Sequence, residues 1–148
     1  MTQHPAPIVT LARQWIGTPY HHQASVCQVG CDCLGLIRGV YRAYTGYDAE
    51  TPPAYSRDWA EVSGSEAMLA AAARHLTPVA LEALAPGNVL LFRLKPNAVA
   101  KHSAILATPA TMIHATEGVP AAEVALAPWW RRRLVAAFAF PALPSPKP

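Results

Sequence analysis

Apolar residues in the first third of the chain recur at helical spacing. Ile8, Leu11, Ala12, Trp15 and Ile16 make one stripe, and Gly17 stands where a helix-ending glycine belongs. Gly17–Tyr20 then reads as a turn, and residues 21–32, polar and glycine-containing, as a loop. A second stripe, Leu34, Ile37, Val40, Tyr41 and Tyr44, predicts a helix that starts at Cys33, takes Asp32 as its N-cap and closes at Gly46. Residues 49–58 hold Pro52 and Pro53 and predict a connecting loop. Ser63-Gly64-Ser65-Glu66 predicts a capping box opening an alanine-rich helix that runs to about His75.

The pattern changes after Leu84. Ala85-Pro86-Gly87-Asn88 predicts a turn and Val89–Phe92 a buried strand. His102–Thr108 and Thr111–Thr116 predict two more strands, joined by a short turn containing Pro109, and residues 134–140 a further one. The ending PALPSPKP, with four prolines, predicts an extended or disordered tail. Helices first and strands second predict an α+β domain over residues 1–140, helices packed on an antiparallel sheet, with 141–148 as the tail.

Hydrophobic residues make up 52% of the chain and charged residues 14%, a globular composition. The net charge of +3 is too small for a nucleic-acid partner to be expected. The densest basic run, Arg131–Arg133, follows Trp129-Trp130 and is expected to be solvated at a strand entrance, with one tryptophan turned outward. No stretch of about 18 apolar residues exists, so no membrane span is expected. The N-terminus lacks the basic start and apolar run of a signal peptide. Synthesis in a reducing cytoplasm is therefore expected, with the thiols free at that stage.

Three cysteines, an odd count, argue against a full disulfide framework. Cys33, at the first turn of a predicted helix, meets unpaired N–H groups and the positive end of the helix dipole. Both favour thiolate, so a lowered pKa and a nucleophilic role are expected. A base and an orienting group must then come from the histidines. His4 lies near the N-terminus, His21 and His22 in the loop, and His75 at a helix end. His102 opens one strand and His114 lies in the next, so a hairpin can put both imidazoles on one face. His102 is then the base and His114 the residue that fixes its tautomer. Cys27, Cys31 and Cys33 have poor zinc spacing and no second cysteine pair, so no metal or cofactor is expected. A Cys27–Cys31 disulfide stays open. Each site residue also has a plainer reading: Cys33 as small apolar filler, His114 as a hydrogen-bonded core residue.

The runs WIGTPY, CDCLGL, PGNVLLF, KHSAIL and MIHA, in this order from about Trp15 to about Phe140, resemble the NlpC family of papain-like cell-wall cysteine peptidases. The resemblance implies a papain-like fold, Cys33 as nucleophile, His102 as base and His114 as third member. It implies that Tyr20, beside the nucleophile, helps hold the substrate or the oxyanion, and that Asp32 meets a free amine of the substrate. It also implies peptidoglycan stem peptides as substrate, cut between D-glutamate and a diamino acid. The runs at 21–42, 52–59 and 128–133 are similar to a branch encoded beside tail genes of phages and gene-transfer agents, which implies tail-protein partners and action at the periplasmic cell wall. Leu34 stands where the family usually has serine, which bears on cleavage preference. Two alternatives remain: a structural tail module with weak catalysis, or an amidase or acyltransferase on the same scaffold.

Overall fold

A computed structural model describes residues 5–50 and 66–143. His4, the PPAYSRDW run beyond Glu50 where a connecting loop is expected, the serines of the expected capping box and the last five residues lie outside them.

Helix α1 spans Pro5–Arg13. It ends earlier than its stripe predicts, because Gln14, Trp15 and Ile16 donate their N–H groups three residues back, to Leu11, Ala12 and Arg13. The chain tightens into turns there. Gly17 is thus not the helix cap; it sits at φ +91° and donates to the Ala121 carbonyl at 2.8 Å. Two short strands, β1 (Ser25–Val26) and β2 (Gly30–Cys31), form a small hairpin within the expected loop.

Helix α2 covers Cys33–Thr45 as predicted. Asp32 Oδ1 accepts the Gly35 N–H at 2.7 Å, and Gly46, at φ +92°, returns its N–H to Arg42. Its buried side takes Leu36, Ile37, Val40 and Tyr41 into one core with Ile8, Ala12 and Trp15. Gly39 lets the two segments meet closely: a Cβ there would run into the Trp15 ring. Helix α3 covers Ala67–His75. Glu66 at its N-cap makes no side-chain cap; its carboxylate instead accepts the Ala100 N–H at 2.9 Å and pairs with Arg93.

The strands β3 (Thr77–Val79), β4 (Val89–Phe92), β5 (His102–Thr108), β6 (Thr111–Thr116), β7 (Val119–Ala125) and β8 (Leu134–Ala139) form one antiparallel sheet, in the order β3-β8-β4-β5-β6-β7. β4 to β7 form a meander, and β8 returns to pair with β4. Val89, Leu91, Ile105 and Ile113 face the helices, while Leu90, Phe92, Ala104, Leu106 and Met112 make a second core on the other face. Helices on an antiparallel sheet are the α+β arrangement expected. Between β7 and β8, Pro128–Arg131 forms a helical turn, α4, rather than a strand entrance. Arg131 and Arg133 are not simply solvated. Arg131 donates to the Leu126 and Pro109 carbonyls, and Arg133 donates to the Trp129 carbonyl. No helix among the described residues is long and apolar enough to cross a membrane.

Candidate active site

The N-terminus of α2 points its first residue, Cys33, into a cleft that His102, Asp32, Tyr20, Leu34 and Leu94 also line. Cys33 is partly exposed, and its Sγ lies 4.0 Å from the Lys101 carbonyl, next to the start of β5.

The two histidines meet as the strand pattern requires. Ile105 pairs with Ile113 across β5 and β6. One step further, His114 lies across from Ala104, which makes His102 its diagonal neighbour, within reach of a long side chain. His102 Nε2 and His114 Nδ1 are 2.8 Å apart, and both rings are buried, at 6% and 7% exposure. One nitrogen of His102 is therefore committed to His114, and only Nδ1 is left for another partner.

Trp130 is a site residue that the sequence pattern did not single out. Its ring stacks on His102 with centroids 5.1 Å apart at 26° and meets His114 edge-on at 5.2 Å. Phe92 closes in on the same imidazole from its cross-strand position, at 5.9 Å. Trp129 next to it is 44% exposed. The split between one inward and one outward tryptophan is as expected, but a helical turn produces it.

Burial sets the protonation states. It pushes His102 down to about 3, with a further contribution from His114, and lowers His114 as well. At Cys33, burial first and then the Asp32 carboxylate push the thiol above its ordinary value. The hydroxyl and N–H of Ser103 and the N–H of Leu34 oppose that shift without reversing it. The lowered thiol expected from the helix end is thus corrected: desolvation outweighs the favourable N–H groups. Both directions keep the resting thiol and imidazole uncharged. Ser103 Oγ is itself buried and has no hydrogen-bond partner among the described residues.

Asp32 spends both carboxylate oxygens on the backbone. Oδ1 takes the Gly35 N–H and Oδ2 takes the Gln23 N–H at 2.8 Å, fixing the helix start and the loop before it. Tyr20 bridges to Cys31 through the backbone and reaches the cleft. All three cysteines are free. Cys31 is buried, with its thiol pushed up to about 12 by desolvation and then by Asp32. Cys27 lies on the exposed turn between β1 and β2, with Sγ 3.3 Å from the Gln14 carbonyl. His21 and His22 do not join the imidazole pair; His22 lines the cleft beside Asp32.

The NlpC/P60 family profile matches residues 17–138. No curated protein sequence matches the chain significantly. Among solved structures, the NlpC/P60 domain of the peptidoglycan hydrolase SagA superposes with a TM-score of 0.65 at 24% identity, covering 93% of this chain and 99% of that one. An NlpC/P60 family protein from Bacillus cereus ATCC 10987 gives 0.67 at 18% identity, over 95% of this chain and 41% of its own. A lipoprotein-like NLP/P60 protein from Staphylococcus aureus gives 0.62 at 19%, over 94% and 43%. The chain thus spans a whole SagA domain but less than half of the two longer proteins. At these identities the likeness is one of fold.

Proposed function

The chain belongs to the NlpC/P60 family, and from that premise we propose that it is a cysteine peptidase cutting peptidoglycan stem peptides. The observation that carries this reading is the meeting, in one cleft, of the α2 N-terminus bearing Cys33 with His102, whose Nε2 is joined to the buried His114.

The steps follow from the geometry. With His102 Nε2–H donating to His114, Nδ1 keeps a lone pair for the Cys33 proton. The sulfur then forms a bond to the substrate carbonyl carbon, and the negative charge moves to its oxygen. Among the first N–H groups of α2, Gly35 is taken by Asp32 Oδ1 and Leu36 by the Asp32 carbonyl. The Cys33 N–H remains to stabilise the oxyanion, with Tyr20 beside it. As the C–N bond breaks, His102 gives its proton to the departing amine. Water, deprotonated by His102, attacks the thioester; the acid is released and Cys33 recovers its thiol.

The bond is the one joining D-glutamate to a diamino acid, and the enzyme acts at the periplasmic cell wall as part of a phage-like or gene-transfer-agent tail. The bond rests on the resemblance to the family as a whole, and the tail role on the resemblance of the 21–42, 52–59 and 128–133 runs. Leu34, an apolar wall in place of the family serine, favours a shifted preference. Transfer of the acyl group to an amine would share every step up to the thioester. Purified peptidoglycan digested with wild type is expected to yield fragments split at that bond by mass spectrometry, and Cys33→Ala to yield none. Identical products from the two proteins would refute the reading; a different new bond would correct the specificity. Proteomics of purified particles tests the tail assignment, which fails if the protein is absent from them.

A further inference from the structure

Beyond Leu94, which walls the catalytic cleft, a second cavity of about 370 Å³ opens between residues 93–97 and 132–135. Its charged lining is Arg93, Lys95, Arg132 and Arg133, four of the twelve Lys and Arg of the whole chain, and no carboxylate among the described residues lines it. The two walls are tied together by the Arg93 N–H, which donates to the Arg133 carbonyl at 2.8 Å. Two of the cations are held in place. Arg133 sits 3.7 Å over the Trp129 ring and donates to the Trp129 carbonyl, and Arg93 pairs with Glu66 from outside the cavity. Lys95 and Arg132 are exposed and enter no ion pair among the described residues.

The cleft it adjoins has a mixed charged lining, Asp32 and Glu117 with Lys101, whereas the cavity is basic alone. A ligand lying through both would carry negative charge at the end that enters the basic cavity. The orientation follows from acid–base geometry. His102 must face the departing amine to protonate it, so the leaving fragment lies on the imidazole side of the sulfur. That is where the cavity is: Phe92, paired with His102, leads directly into Arg93, and Trp130, stacked on His102, leads into Arg132. The volume suits a small fragment rather than an open polymer track.

We propose that this cavity is the leaving-group subsite, binding the free carboxylate of the fragment whose amine is released, through Lys95 and Arg132 held beside the fixed guanidinium groups of Arg93 and Arg133. The inference rests on the peptide-cleavage reading above, and its test keeps the two separate. Cys33→Ala protein is titrated by NMR with a dipeptide of a diamino acid and alanine, bearing either a free C-terminal carboxylate or a carboxamide. The acid is expected to bind about tenfold tighter than the amide, a charge-assisted hydrogen bond's worth. Adding Lys95→Gln and Arg132→Gln, both at exposed positions, is expected to remove that preference. Equal or undetectable binding of the two ligands overturns the subsite, as does a preference that survives the double substitution. Neither outcome depends on cleavage, so failure of wild type to cut stem peptides counts against the peptidase reading alone.

Discussion

The imidazole of His102 is enclosed by the rings of Phe92, His114 and Trp130, and that enclosure decides what its nitrogens can do. Stacking by Trp130 adds to the burial that holds the His102 imidazole uncharged. Trp130→Ala should let water in and move the acid limb of kcat/KM upward, toward an ordinary imidazole, because burial is what lowers His102. It should also cost about 2 kcal/mol of stability, as lost aromatic contacts do; Trp130→Phe should keep most of both properties. An unmoved acid limb in the alanine variant would show Trp130 to be packing only. Cys33, His102 and His114 were legible as residues, because a helix-start thiol and two strand histidines are local patterns. Trp130 was not, since its role depends on the turn after β7 folding back over β5. Nor was the direction of the Cys33 shift, which comes from burial created by the tertiary fold.

At the scale of elements, α2 carries Cys33 to the cleft, and its placement depends on packing against α1 and the turn that follows it. Gly39→Ala would drive a methyl group into the Trp15 ring. Overpacking of this kind costs about 1–3 kcal/mol, which a denaturant midpoint would read. Unchanged stability would mean that the α1–α2 approach is looser than described. Helix α2 was readable because its stripe, its Asp32 cap and its Gly46 stop agree with one another. β4, β5, β6 and β8 were readable from short apolar runs bounded by turns. β7 was not, because VPAAEVA has little β-branched alternation and carries Pro120 near the sheet edge. The three-residue β3, with Pro78, escaped for the same reason, and β1 and β2 are too short to leave a periodic signal.

Across the whole molecule, the fold brings a helix end from the first third of the chain against a strand pair from the last third, burying His102 and leaving Cys33 partly exposed beside it. The α+β class followed from element order alone, whereas the contact between the two halves needed the structure. Because burial raises the thiol and lowers the imidazole, the uncharged pair dominates, with a minor thiolate–imidazolium form beside it. Between the two macroscopic titrations the share of that minor form is independent of pH. The most direct test is the alkylation rate of Cys33 against pH, read by peptide mapping that separates it from Cys27 and Cys31. Wild type should react at a nearly constant rate from about pH 5 to about pH 8, since His102 stays unprotonated far below its ordinary value. In His102→Ala the thiol loses its proton acceptor, so the rate at neutral pH should fall and rise only in the alkaline range, above that of a free thiol. Matching profiles in the two proteins, or a wild-type rate that climbs like an ordinary cysteine's, would contradict the pairing of Cys33 with His102.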